Sequence, residues 1–376
     1  MTTGPRVTIV HDYLGQFGGA ERVVEEMCRV YPDAPVFTSF YAPESTYDSF
    51  REMDIRTTWM QHAPRIVNRH KAYLPLYPLA FQSMRLPPCD VVLSSSSAFA
   101  KGVHPPAGAV HVCYCHAPMR FAWRFNDYVE REQSVPPLLA SGLRPLMSLL
   151  RSWDVASNRT VDVLIANSEV TRGRMASYYG RDSTVLYPPV DVDRFYSSDE
   201  PGDFYLVVSR LVGYKRVDLA VEACTLSGRR LIVAGDGPAR SQLEEIAGPS
   251  VEFVGRVSNE RIADLMSRCR ALLFCGEEDF GITPVESMAS GRPVIAYGCG
   301  GALETIKDGI TGVFFPEQVA ASLAEAMERF EACSIDRDAC TRRARTFRPE
   351  VFQDGLRGIV DSALASQSVR SRVNTR

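Results

Sequence analysis

Glu278 and Glu286 stand in the stretch Glu278-Asp279-Phe280-Gly281-Ile282-Thr283-Pro284-Val285-Glu286, a spacing that could serve a ligand from two sides. The apolar run Ala271-Leu272-Leu273-Phe274-Cys275 before it reads as a buried strand. Ser287-Met288-Ala289-Ser290-Gly291 after it reads as a helix ending in glycine. In open α/β sheets ligands bind outside the carboxyl ends of the strands. The first turn of a helix there offers free N–H groups and a favourable dipole to an anion. Glu278 has no structural partner evident in the sequence. Glu286 also fits a capping box, with Thr283 as N-cap, Pro284 at the first helical position and Glu286 reaching back.

Six other places bear on the chemistry. Gly18 and Gly19 lie between His11-Asp12-Tyr13 and the helix that begins Ala20-Glu21-Arg22. Adjacent glycines let a backbone approach a ligand, and they equally serve an ordinary βα turn. The dinucleotide spacing G-x-G-x-x-G is absent there. Arg210 and Lys215 flank Gly213 where a strand passes into a helix, and both cations suit a phosphate. The helix dipole does not favour positive charge at that end, which points to function. His116 closes the apolar run His111-Val112-Cys113-Tyr114-Cys115, where a side chain faces the crevice. Gly235-Asp236-Gly237-Pro238 and Gly298-Cys299-Gly300-Gly301 are tight turns that follow strands. Asp191-Val192-Asp193 has the form of an Asp-x-Asp metal motif, but it falls in a Pro-rich connection, and no metal is assigned.

These residues need a scaffold of strand ends. Short apolar strands alternate with helical patterns along most of the chain, which predicts a parallel α/β architecture. Strands are predicted at 7–12, 35–40, 91–95, 110–115, 163–167 and 184–187, and again at 204–209, 230–234, 251–254, 271–275, 293–297 and 312–315. The division is an N-terminal domain over 1–188, a linker over 189–203 and a C-terminal domain over 204–350. A helix over 351–365 is placed as crossing back onto the first domain, and the polar, basic residues 366–376 as a disordered tail.

At 376 residues the chain is long enough for two cores. A formal net charge of −3 argues against general nucleic-acid binding. The ten cysteines show no CxxC pair and sit in apolar patterns, as reduced thiols of a cytoplasmic protein would. The N-terminus lacks the apolar core of a signal peptide, and no run has the length of a membrane span, so membrane contact is expected to be peripheral.

Taken in order, the motifs resemble glycosyltransferase family four, retaining enzymes of the GT-B fold. They are Gly18-Gly19-Ala20-Glu21, His116, Ala166-Asn167-Ser168, Tyr187-Pro188-Pro189-Val190-Asp191, Ser209-Arg210-Leu211, Lys215-Arg216-Val217-Asp218, Gly235-Asp236-Gly237-Pro238, Glu278 to Glu286, and Gly300-Gly301. The resemblance implies two Rossmann-like doubly wound domains facing across a cleft. It implies a nucleotide-sugar donor held by Gly18, Gly19, Arg210, Lys215, Glu278, Phe280, Gly281, Ile282, Thr283 and Glu286. Arg210 and Lys215 are similar to the pair that grips the diphosphate, Glu278 to the carboxylate beside the transferred sugar, and Glu286 to the residue on the ribose. His116 is similar to the histidine near the sugar's reactive face. The implied chemistry is front-face displacement with retention and without a metal or other cofactor.

The run Tyr114-Cys115-His116-Ala117-Pro118-Met119-Arg120-Phe121-Ala122-Trp123 is similar to bacterial mannosyltransferases of surface polysaccharide synthesis, which favours GDP-mannose. Arg124 departs from that group, where an acidic residue often follows the Trp. A UDP-hexose donor, or a nucleotide-sugar epimerase on the same fold, are the alternatives. The basic, aromatic stretch 65–74 and the Leu-rich stretch 138–153 suit a saccharide or lipid-linked acceptor at an anionic bilayer surface, or a helix packed on its own domain.

Overall fold

The computed structural model describes residues 4–125, 137–200 and 202–374, with side chains for all of these but 137–140 and 370–374. They form two units, one of residues 4–125, 137–189 and 350–374, the other of 190–200 and 202–349.

The first unit is built on seven parallel strands, β1 (Val7–His11), β2 (Val36–Thr38), β3 (Ile55–Thr57), β4 (Val91–Ser96), β5 (Val110–Cys115), β6 (Val163–Ala166) and β7 (Thr184–Val185). Their spatial order is β3-β2-β1-β4-β5-β6-β7, so the sheet reverses direction of growth between β1 and β4. Strands buried on both faces read as near-continuous apolar runs, and β1, β4 and β5 are buried along their whole length. The Gly19–Val30 helix follows β1 and buries Val23, Val24 and Met27 against Ile9 and Leu93. The Pro349–Asn374 helix completes this core. Its Phe352, Leu356, Val360 and Ala363 recur at helical spacing and pack with it, and Phe352 meets Tyr114 edge-on at 5.6 Å.

The second unit carries six parallel strands, β8 (Phe204–Val208), β9 (Arg230–Ala234), β10 (Val251–Gly255), β11 (Leu272–Phe274), β12 (Val294–Tyr297) and β13 (Gly312–Phe315). Their order is β10-β9-β8-β11-β12-β13, with the reversal between β8 and β11. The core joins Leu219 and Val221 of the Val217–Ser227 helix to Tyr205, Leu231, Leu273 and Ile295 of the sheet.

Three expectations change. Strand β3 escaped prediction because it is a partly exposed segment with no apolar run. The polar residues expected to lack order continue the last helix as far as Asn374, since the turns that dock through Phe352 to Ala363 carry the helix onward. Residues 375–376 lie outside the described part. The connecting segment is bonded into the second unit: Val190 N–H donates to Phe347 O at 2.8 Å, and Arg292 donates to Ser198 O at 2.7 Å. The ten cysteines are free thiols, eight of them buried.

Candidate functional site

In the second unit Arg210, Lys215 and Glu278 follow β8 and β11, the neighbours at the reversal of strand order, and in the first Gly18 and Gly19 follow β1 while His116 follows β5. Carboxyl ends at such a reversal are where open α/β sheets bind ligands. In the second unit, β8 leads through Arg210 and a short 3-10 turn, Gly213–Lys215, into the Val217–Ser227 helix. Arg216 holds a left-handed backbone (φ 50°), strained for a residue with a side chain. Its guanidinium fixes that conformation by bonding Asp218 from Nε at 3.1 Å and from Nη2 at 2.9 Å. Lys215 is thereby turned toward β11, and its ammonium forms an ion pair with the Glu278 carboxylate, both side chains partly buried. The backbones meet closely here. A Cβ on Gly276 would lie 2.9 Å from Lys215 Cα. Arg210 is exposed at the end of β8, and among the described residues no ion pair holds its guanidinium.

The helix after Glu278 begins at Ile282, and Gly281, with φ 85°, is its N-cap. The capping box is therefore not formed. Thr283 and Pro284 lie inside the first turn, and Glu286 accepts from Arg194 Nη2 at 2.9 Å. The left-handed glycine makes the sharp entry that the capping box was expected to supply. Phe280 turns its ring inward, 4% exposed, to meet Phe347 edge-on at 5.4 Å, so its side chain belongs to the core. Gly281, Ile282 and Thr283 are partly buried around the opening turn. The Gly300-Gly301 turn supports this loop from behind. Gly301 N–H donates to Glu278 O at 2.8 Å, and a Cβ on Gly301 would lie 2.4 Å from Phe280 Cα.

In the first unit, Gly18 caps the Gly19–Val30 helix in extended conformation, and a Cβ there would sit 2.5 Å from Glu21 Oε2. His116 follows β5 directly and its N–H continues the sheet ladder to Ser96 O at 2.9 Å. Its Nε2 lies 2.8 Å from Ser95 Oγ at the end of β4. Burial disfavours the charged ring, nearby His11 adds to this, and the imidazole is pushed down to about 3. Asp12 anchors the next loop, accepting from the N–H groups of Ser97, Ala98, Phe99 and Ala100 at 2.6 to 3.0 Å.

Sequence reasoning missed His11, Ser95 and Arg194. The signal for the first two was a polar cluster, His11 and Ser94-Ser95-Ser96, at the ends of otherwise apolar strands. Arg194 left no comparable mark. Trp123 is structural, with Nε1 donating to Asp154 Oδ2 at 2.7 Å and the ring stacked on Tyr178 at 4.1 Å. Asp154 in turn pairs with the fully buried Lys101.

In the stretch 65–74, Arg65, Arg69 and Lys71 are exposed, beside the exposed Trp59, Leu76 and Leu79. The stretch 138–153 lies in the Pro137–Ser157 helix, which buries Met147 and Leu150 and exposes Arg144 and Leu149. The Leu138 and Leu139 side chains lie outside the described residues. Among the described residues no helix is long and apolar enough to cross a membrane, and no cluster of three or more His, Cys, Asp or Glu is placed to hold a metal.

Comparison with known proteins agrees with this two-unit plan. The profile described as Glycosyltransferase Family 4 matches residues 17–194, and that described as Glycosyl transferases group 1 matches residues 192–347. The chain is 26% identical to the alpha-1,3/1,6-mannosyltransferase ALG2 of Homo sapiens over 94% of both chains. It is 32% identical to the alpha-D-kanosaminyltransferase of Streptomyces kanamyceticus, over 44% of this chain and only 41% of that protein's length. The crystal structure of Anabaena HepE in complex with UDP and glucose superposes with a TM-score of 0.69 at 17% identity, covering 96% of this chain and all of that one. Two Rossmann-like sheets with this strand order, matched nearly end to end by the two profiles, place the chain in glycosyltransferase family four with the GT-B fold.

Proposed function

We propose that this glycosyltransferase is a retaining hexosyltransferase that moves mannose from GDP-mannose onto a saccharide or lipid-linked saccharide acceptor in the synthesis of cell-surface glycans. The observation that carries the proposal is the Lys215–Glu278 pair at the β8/β11 reversal. One cation and one carboxylate, held together by a strained residue and a glycine contact, are what a diphosphate and an adjoining sugar need. Lys215 and Arg210 would take the charge that develops on the leaving diphosphate, and Glu278 would bind sugar hydroxyls. Glu286, steadied by Arg194, would hold the ribose.

In the reaction the bond from the sugar's C1 to the diphosphate oxygen breaks, and a bond from the acceptor hydroxyl forms on the same face. The hydroxyl proton passes to the departing diphosphate. Fixed positive charge supplies the stabilisation, and a metal-free reaction is part of the proposal, checked by turnover in excess chelator. Mannose as the sugar is supported by the likeness to ALG2 over 94% of the chain. The exposed basic and apolar residues Trp59, Arg65, Arg69, Lys71, Leu76 and Leu79 support an acceptor presented at an anionic membrane surface.

Thermal shift and transfer with GDP-mannose, UDP-glucose, UDP-galactose and UDP-N-acetylglucosamine test the donor. Stabilisation and turnover by GDP-mannose above the others is the expected result. Selective response to a UDP-sugar would replace the donor, and sugar conversion without acceptor would replace transfer by epimerisation.

A further inference from the structure

Strands β1 and β4 lie in register with His11 opposite Ser95, and β5 ends beside them at His116. Ser95 Oγ therefore stands between two imidazoles, 3.1 Å from His11 Nδ1 and 2.8 Å from His116 Nε2. One fixed acceptor orients the chain of protons. His11 Nδ1 also lies 3.1 Å from the Ser95 carbonyl oxygen, which can only accept. Nδ1 must carry a hydrogen, so it cannot accept from the Ser95 hydroxyl. The hydroxyl's own hydrogen is then free for His116 Nε2, 2.8 Å away. In that arrangement the accepting Nε2 is unprotonated, and a neutral His116 carries its hydrogen on Nδ1.

Behind His11 stands an anion. Glu21 is 1% exposed, and its Oε1 lies 3.8 Å from His11 Nε2. The charged or titratable groups that face His11 are Glu21 from the Gly19–Val30 helix, Asp12 beside it in the chain and His116 from β5. Burial opposes a proton on His11, but Glu21 and Asp12 outweigh it and hold the ring above its ordinary value. A proton is thus favoured on His11 over His116.

We propose that His11 and Ser95 are positioning residues that, with Glu21 as the anchoring anion, lock His116 as the neutral Nδ1–H tautomer, so that His116 meets the transferred sugar as a hydrogen-bond donor and not as a base. The part about the sugar rests on the glycosyl-transfer reading; the tautomer does not.

The test is an NMR spectrum of the whole protein carrying isotope-labelled histidine rings, assigned with His116→Gln and His11→Gln. It is read from about pH 6 to about pH 8, the range in which an ordinary histidine titrates. The expected spectrum has His116 with a protonated Nδ1 and bare Nε2 throughout, and His11 doubly protonated at the lower end. Ser95→Ala should release the tautomer. It should also lower kcat by about 10- to 100-fold with the donor KM nearly unchanged, as loss of an orienting outer partner does for metal-bound histidines. A bare Nδ1 on His116 in the unaltered protein, or Ser95→Ala without effect on tautomer and kcat, overturns the proposal. The unaltered protein decides the tautomer even if the variant does not fold. Absence of transfer from every donor would sink the functional reading alone, because the spectrum is read without substrate.

Discussion

Arg194 donates from Nη2 to Oε1 of Glu286 at 2.9 Å, tying the connecting segment to the opening turn of the Ile282–Ala289 helix. The bond spans 92 residues of sequence and fixes one oxygen of the carboxylate assigned to the ribose. Hydrogen bonds to charged groups contribute about 1.5–3 kcal/mol. Arg194→Met should therefore raise the donor KM at least about tenfold, a change of about 1.4 kcal/mol, with kcat nearly unchanged. Steady-state kinetics with the identified donor check this, and a loss confined to kcat would argue against ribose positioning.

Lys215→Ala and Glu278→Ala should each cut turnover by about 100- to 1,000-fold, the cost of removing one preorganised electrostatic contact to the reacting groups. Circular dichroism should show both proteins folded, because the pair lies at the rim of the sheet and not in its core. Near-normal transfer by both variants would remove the centre of the proposed mechanism.

Gly301→Ala should destabilise the protein by about 1–3 kcal/mol, the usual penalty of overpacking, because its Cβ would press on Phe280 Cα. Gly173→Ala is the matching control. It lies in the Glu169–Tyr179 helix with nothing within 4 Å of the new Cβ, and should stabilise by about 0.5–1 kcal/mol. Urea unfolding of the two variants separates these outcomes. Equal midpoints would contradict the close packing of the two loops.

Acid should unfold the protein through its buried histidines. Burial holds His111 down to about 4 and His116 down to about 3, while the unfolded chain titrates near the ordinary 6.5. Below that value the unfolded form binds protons that the folded form refuses. Stability present near neutrality is then lost as pH falls toward the folded values, by about 1.4 kcal/mol per pH unit for each ring. His11 has the opposite sign. Its contribution is complete below the unfolded value and is lost as pH rises through its raised folded one. Denaturant midpoints measured across pH should show a shallower acid limb in His111→Gln; an unchanged limb would exclude His111 as a cause.

Sedimentation with anionic liposomes at low salt tests the exposed basic patch. Binding should weaken when Arg65, Arg69 and Lys71 are replaced together by Gln, and it should fall with ionic strength. Failure to sediment at low salt removes membrane contact from the proposal.

Of the thirteen strands among the described residues, twelve were readable from the sequence because buried parallel strands are local apolar runs with turn residues at both ends. β3 was not, since Ile55-Arg56-Thr57 is short and partly exposed and owes its conformation to β2. The loop from Glu278 to Glu286 could be named as a candidate from sequence, but its cap was misread. Thr283-Pro284 is a strong local signal, and it lost to Gly281, which holds a left-handed backbone where a Cβ would lie 3.0 Å from the Phe274 ring. Lys215 and Glu278 could be named separately, yet their pairing depends on the β8–β11 neighbourhood, which no local pattern reveals. His11 and Ser95 stand 84 residues apart for the same reason.

The Pro349–Asn374 helix supplies Phe352, Leu356, Val360 and Ala363 to the core built around β1. During synthesis, β1 emerges well before the helix that completes its core. The second unit, encoded between them, has all its strands available earlier and can close while its neighbour is still unfinished. Domains commonly mature from the N-terminus onward as they leave the ribosome. Here the chain order favours the reverse, with the second unit able to close before the core around β1 is complete.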